Sequence, residues 1–524
     1  MKKKLPFFSL GLSLSLLGQS VKIIPSTENY DLNGIVYNNA LFFSKSFKLS
    51  KFDGISVTGI PAPEYNNQPI VGNLTGNMII YNNKLCYNYD YKVGGSPTNE
   101  SQNKDFLITY DGLSQTTFLN PEAVYSSGGI FIGDNGSENQ PVISNGKLFL
   151  KGAYYSGGTR SNLFLFDGQV IKKINNVNNE SNQATGQVKL GDWALDYNNE
   201  LYFGYQDFNM TWPGIAKFNG TNIVRLNTDN SKEYWGSIFI LNNQLYFKIN
   251  FMDAPSGYGI GSYDASTNTI SKIPTPVLHY SGAQKPLVYN SQAFITVGDV
   301  KLSVFDGVTI NQIANIATND KGIAGRRVLF SNDIYFPYLD SNNKFLLGKY
   351  SGTSISLIPN PSTADQGIGK SLIEFNGNLF FMYISGGINY LAKYNGQNIT
   401  VMPNPDNGQG VQDSKFVLYG NDLYFPYKNA AGIINMAKYG TTVLSSKETV
   451  QDVGVSIFKE NNGFSVVSKT ERITKVEALD ASGRKVLNTK TNARKYSFGI
   501  GGYGIFIVNI TLENGNVFTV KIRN

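Results

Sequence analysis

The chain has 524 residues, with 45 Lys and Arg against 38 Asp and Glu, one histidine and one cysteine. A single cysteine excludes an intramolecular disulfide framework, and a single histidine excludes a His pair of the kind that holds copper, zinc or non-haem iron. The formal charge of +7 sits in Lys2, Lys3, Lys4 and in residues 452–524. The body between is close to neutral, so the basic balance gives no reason to expect a nucleic-acid partner.

In chain order, Met1 to Lys4 form a basic n-region and Leu5 to Leu17 an apolar stretch with Ser and Gly interspersed. Gly18-Gln19-Ser20 follows as a small and polar cleavage site, so residues 1–20 read as a secretory signal peptide, too short to anchor in a bilayer. No later stretch has the roughly eighteen uninterrupted apolar residues of a membrane helix.

Residues 21–446 are a repeat. Its first motif is an aromatic or apolar residue, two turn residues, one variable residue and an apolar-aromatic triplet, as in Tyr37-Asn38-Asn39-Ala40-Leu41-Phe42-Phe43. It recurs at Asn82-Asn83, Asn145-Gly146, Asn198-Asn199, Asn242-Asn243, Asn290-Ser291, Ser331-Asn332, Asn376-Gly377 and Gly420-Asn421. Asn and Gly tolerate the positive φ that a two-residue type I′ turn requires at both positions, so each copy predicts a hairpin. A second motif, aromatic then Asp or Asn then Gly, follows each first one, as at Phe52-Asp53-Gly54, Tyr110-Asp111-Gly112 and Tyr394-Asn395-Gly396. It predicts a second hairpin and thus four strands per unit. Proline pairs such as Pro359 and Pro361 suit the end of an outer strand, because proline cannot donate to a ladder. Four strands in mostly about 45 residues is the blade of a β-propeller. Nine units are present, which allows eight or nine blades; the completeness of the first favours nine.

Candidate chemistry in this body is sparse. His279 lies between apolar residues and Cys86 within a strand triplet, where both read as packing residues. Asp residues of the Asp-Gly turns are explained by turn chemistry. The remaining acids, among them Asp192, Asp196, Asp207, Asp253, Asp299 and Glu374, form no recognisable signature. Gly133 to Glu138 is acidic and turn-rich but lacks the spacing of an EF-hand loop. No metal or cofactor is expected. The longer loops offer aromatics suited to stacking on sugars or to protein contact: Phe208 and Trp212 in one, Tyr258 in another. These are the candidate binding residues.

After a linker at 447–454, residues 455–524 predict a small antiparallel β-sandwich, with turns at Ser482-Gly483 and Asn514-Gly515 and an apolar strand at Ile505 to Val508. Val476-Glu477-Ala478-Leu479-Asp480, Ser482-Gly483-Arg484-Lys485-Val486-Leu487, Gly504-Ile505-Phe506-Ile507-Val508 and the basic end Lys521-Ile522-Arg523 resemble the type A C-terminal sorting domain of proteins exported by the type IX secretion system of Bacteroidetes. Gly483, Arg484, Lys485, Gly504, Phe506 and Lys521 carry the match. Phe506 stands where the family usually has Tyr, and the usual opening run is replaced by Val455-Ser456-Ile457-Phe458. The resemblance implies export across the outer membrane, the type IX machinery as a partner, and removal of the domain on export.

The sequence thus describes an all-β protein, a propeller followed by a sorting sandwich, on the cell surface or outside the cell. A binding or adhesion module for glycan or protein fits the loop aromatics. A carbohydrate-active enzyme with paired carboxylates and a structural surface-layer component are the alternatives.

Overall fold

The computed structural model describes residues 20–91, 104–119, 130–131, 140–155, 159–174, 186–207, 214–226, 232–251, 257–273, 285–297, 301–412, 416–440, 455–460, 463–468, 471–480, 484–501 and 505–523. The described secondary structure is all β, and no helix among the described residues is long and apolar enough to cross a membrane. The chain divides into two compact units, one of residues 20–440 and one containing residues 441–524.

The larger unit is built of nine antiparallel sheets in chain order, at residues 30–59, 72–119, 130–173, 186–225, 232–272, 287–312, 322–358, 367–401 and 410–440. We number them one to nine. No sheet closes on itself. Single parallel residue pairs, Phe345 with Gly367 and Asn389 with Gly410, join sheets seven, eight and nine, together with Ser20–Ile23, into one continuous fourteen-stranded sheet.

The turn chemistry explains the strand order. In eight first hairpins both turn residues have positive φ, from +44° at Asn38 to +68° at Gly377. In the ninth, Gly420 has φ +60°. The second hairpin turns differently from the first. Its loop has four residues, and Asp or Asn at the first position accepts two backbone N–H bonds. Asp53 Oδ1 takes those of Ile55 and Ser56 at 2.9 and 2.8 Å, and Asn395 Oδ1 those of Gln397 and Asn398, both at 2.9 Å. The following glycine has φ near +100°, which explains the Asp-Gly pairing.

Buried aromatic and aliphatic side chains fill the space between successive sheets. Tyr37 and Phe42 of sheet one pack with Leu85 and Phe106 of sheet two; Phe330 and Tyr335 of sheet seven pack with Phe381 and Tyr394 of sheet eight. The series returns to its start: Tyr419, Tyr424 and Met436 of sheet nine share a cluster with Tyr30, Phe43 and Phe52 of sheet one.

Sheet nine draws its fourth strand from the other end of the sequence. Ser20–Ile23 pairs antiparallel with Ile434–Gly440, Ser20 opposite Gly440 and Ile23 opposite Ala437. Val21, 4% exposed, enters the core between sheets eight and nine.

The tyrosines that precede the first-hairpin turns tie neighbours together. Several of these hydroxyls donate to the backbone carbonyl of the second turn residue in the next sheet, as Tyr37 to Asn83 at 2.7 Å, Tyr81 to Gly146 at 2.8 Å and Tyr197 to Asn243 at 2.9 Å, while the Tyr289 hydroxyl donates to the Asn332 side-chain Oδ1 at 3.4 Å. In sheet three Ser144 stands at this position and donates at 2.5 Å to Asp196 of sheet four.

Sheets seven to nine carry a further lock. The loop entering each first strand holds an aspartate that accepts from a tyrosine on the second strand: Tyr338 to Asp320 at 2.7 Å, Tyr383 to Asp365 at 2.6 Å, and Tyr427 to Asp406. A second bond reaches each carboxylate, from Ser341 N, Ser385 Oγ and Ala430 N.

In the C-terminal unit, a three-stranded sheet (Val455–Glu460, Gly463–Ser468, Lys495–Phe498) and a four-stranded one (Ile473–Asp480, Lys485–Ala493, Ile505–Leu512, Val517–Arg523) bury one common core that includes Phe464, Val476, Phe506, Val508 and Ile510.

Candidate functional site

The first strands of the sheets carry the unusual residues. Sheets one, two, four, five and eight break register in the middle of this strand, between Asp31 and Ile35, Thr75 and Ile79, Lys189 and Ala194, Tyr234 and Ile238, and Ile368 and Leu372. Such bulges re-aim side chains that strict alternation would fix. In sheet seven the same place separates two short strands, Gly322–Ile323 and Val328–Phe330, and holds Arg326 and Arg327. The bulges of sheets seven and eight touch: a Cβ placed on Gly325 would lie 2.7 Å from the Lys370 carbonyl oxygen.

Asp192 sits in the bulge of sheet four. Burial pushes its carboxyl up, while Arg326 of sheet seven and Lys285 at the start of sheet six pull it down. Beside it the Lys189 ammonium lies 4.2 Å from the centre of the Trp193 ring, a cation–π contact. Arg327 is buried, and its guanidinium donates at 2.5 Å to Thr296 Oγ1 of sheet six. Asp192 thus feels favourable charge from two other sheets.

The loop aromatics fall elsewhere. Phe208 and Trp212 lie outside the described residues, as do His279, Asp253, Asp299 and the Gly133 to Glu138 segment. Tyr258 belongs to the strand Gly257–Asp264 and pairs through its backbone with Asn250. Cys86 is fully buried between sheets two and three, and burial pushes its thiol up to about 12, out of the range of a nucleophile at neutral pH. A cavity of about 280 Å³ on sheet seven is lined by Leu346, Leu357, Pro359 and Asn360, with Lys344 at its edge. Among the described residues no group of His, Cys, Asp and Glu is arranged to hold a metal ion.

In the C-terminal unit Phe506 is 5% exposed and part of the core. Arg484 Nε donates to Asp480 at 3.0 Å and Lys485 Nζ to Glu477 at 2.9 Å, both at the surface. Lys521 lies in the last strand, opposite Ile507. Gly483 and Gly504 lie outside the described residues.

The sequence singles out Asp192 as a non-turn acid but does not place it in a bulge, because a bulge has no composition of its own. Arg326 and Arg327 become conspicuous only when the first strands are aligned on their turns.

No protein-family model matches the chain, and no curated protein does. Several solved structures are similar in part. PorZ, described as an essential bacterial surface component of the type-IX secretion system of Porphyromonas gingivalis, is 12% identical over 94% of this chain and 75% of its own, with a TM-score of 0.37. The extracellular domain of BT4673 from B. thetaiotaomicron is 12% identical over 94% of this chain and 85% of its own, with a TM-score of 0.29. BamB from Moraxella catarrhalis is 11% identical over 81% of this chain and 98% of its own, with a TM-score of 0.35.

Proposed function

We propose that this is an exported cell-surface or secreted binding protein, a nine-bladed β-propeller carried by a C-terminal sorting β-sandwich through type IX secretion. Nine successive sheets of four or five strands and the packing of sheet nine on sheet one support the propeller. The separate core of residues 455–523 supports an independent terminal domain, and the motifs of that segment support its role as an export signal. Residues 1–20 act as the signal peptide.

The binding reading is supported by the first-strand bulges, which hold Lys189, Asp192 and Trp193 in sheet four and Arg326 and Arg327 in sheet seven, charged and aromatic groups of the kind used for recognition. The ligand class is glycan or a surface protein. Two experiments test the proposal. Deleting residues 455–524 should leave the protein in the periplasm; normal appearance at the surface overturns the export reading. A glycan array and a glycan-hydrolysis assay on the exported protein should give binding without turnover. Turnover that is lost when Asp192 is changed to Asn makes it a carbohydrate-active enzyme.

A further inference from the structure

Phe47 has a backbone conformation that the fold elsewhere gives to other residue types. Among the described residues, every non-glycine position with positive φ is Asn or Ser except this one, at φ +63°. Asn tolerates the left-handed region, whereas a bulky ring there is strained. Phe47 is the second residue of the two-residue turn Ser46-Phe47, which joins the second and third strands of sheet one with Lys45 opposite Lys48. Sheet eight makes the same turn with Gly386-Gly387, at φ +58° and +77°, with Ser385 opposite Ile388. Glycine takes such a turn without strain, so turn geometry gives no reason for a phenylalanine. Nor does the core: Phe47 is 56% exposed, against 2% for Phe52 at the far end of the strand that follows.

Neighbouring backbone holds this tip on both sides. Ser46 N donates to the Asn29 carbonyl at 3.2 Å, and Asn29 Nδ2 donates to Ser46 Oγ at 3.4 Å. The Phe47 carbonyl accepts from Leu74 N of sheet two at 2.7 Å. The exposed ring therefore stands on a fixed base. Strained positions of this kind cluster at ligand clamps, where the surrounding structure keeps them in place. Two residues before the ring, Lys45 Nζ lies 3.5 Å from a Glu28 carboxylate oxygen, with both side chains reaching solvent.

We infer that Phe47 is the platform of a glycan site, its ring stacking on the C–H face of a neutral pyranose while Glu28 accepts from, and Lys45 donates to, hydroxyls on neighbouring ring carbons. An exposed aromatic face suits the apolar side of a sugar. A carboxylate beside an ammonium suits adjacent hydroxyls, each of which both donates and accepts. Glu28 and Lys45 offset each other in charge, which favours a neutral sugar. A protein partner would bury the ring in an apolar centre, and the residues around this tip, Lys45, Ser46, Lys48, Glu28 and Asn29, are polar. The inference rests on the binding reading above and narrows its ligand.

The test uses the exported full chain, with cellotetraose, maltotetraose and mannotetraose as probes, in calorimetry and thermal melts. At least one of the three should bind. Phe47→Asn should melt no lower than the parent, because Asn takes this φ throughout the fold, and should lose roughly tenfold or more in affinity for that probe. Phe47→Tyr keeps the ring and should keep the affinity; Glu28→Gln should weaken it severalfold. Failure of all three probes to bind, or unchanged affinity in Phe47→Asn, overturns the inference. So does a melting temperature several degrees lower in Phe47→Asn, which would make the ring a packing residue. A glycan found on the array and bound equally by parent and Phe47→Asn would leave the binding reading standing and this one refuted. So would a captured surface protein whose binding survives Phe47→Asn.

Discussion

The Tyr419 hydroxyl donates at 2.8 Å to the backbone carbonyl of Asn39, 380 residues away in sequence. It is the contact that Tyr37 makes with Asn83 and Tyr81 with Gly146, repeated between the last sheet and the first. The same bond at local and extreme separation offers a measure of whether the last junction is equivalent to the others.

Tyr419→Phe should therefore cost what Tyr37→Phe costs, about 0.5–1.5 kcal/mol for one hydrogen bond. Both removals leave a carbonyl at a turn and little else changed. Urea unfolding of the two variants checks this. A cost near zero for Tyr419→Phe alone would mean that sheets nine and one separate in solution.

The strand Ser20–Ile23 should be needed for stability. Val21→Asp places a carboxylate among Leu423, Phe425 and Tyr439 and should lower stability by about 3 kcal/mol or more, the scale of an unpaired buried charge. Deleting residues 20–23 exposes the edge of Ile434–Gly440 and should promote association of the protein, read by light scattering. N-terminal sequencing of the exported form should find Ser20 retained or its loss confined to that one residue.

Two glycines separate backbone strain from steric collision. Gly377 has φ +68° with nothing within 4 Å of an added Cβ, so Gly377→Val should cost about 1–2 kcal/mol from strain alone. At Gly367, φ +100°, a Cβ would fall 1.7 Å from the Phe345 carbonyl oxygen. Gly367→Ala should cost more than Gly377→Val despite the smaller side chain. Thermal melts of both decide it.

Hydrogen bonds from Ser385 and Tyr383 hold the Asp365 carboxyl below its usual range. A depressed folded value means that its contribution is complete above the unfolded value of about 3.9 and fades as pH falls through the folded one. Asp365→Asn should be less stable than the parent at pH 7, and the difference should narrow below about pH 4. Urea midpoints from pH 2 to 7 measure this; a constant difference would place the loss in packing.

The nine-unit repeat was legible because its turns demand positive φ: Asn38-Asn39 or Asn376-Gly377 between apolar runs admits few other readings. The borrowed strand was not. Nothing local in Val21-Lys22-Ile23 points to Tyr439, its partner residue on Ile434–Gly440, because that register is set by the vacancy beside a distant strand. Tyr37 and Tyr81 before their turns read as core, and their hydroxyl bonds to the next sheet need the neighbour in place. Arg327 is one of four arginines in residues 21–446, and its burial against Thr296 needs the neighbouring sheet in place. The loop residues Phe208 and Trp212 were chosen for chemistry alone, and Tyr258 proved to lie in a strand.

The pairing of Ser20–Ile23 with Ile434–Gly440 also orders events in time. The first strand of the body to be made has no partner until the last has followed it. Sheets one to eight can form in turn, but the junction of sheets nine and one waits for the whole of residues 20–440. A chain halted short of Gly440 leaves Ser20–Ile23 without its full partner strand. The joining of the two ends is thus a single late step in folding.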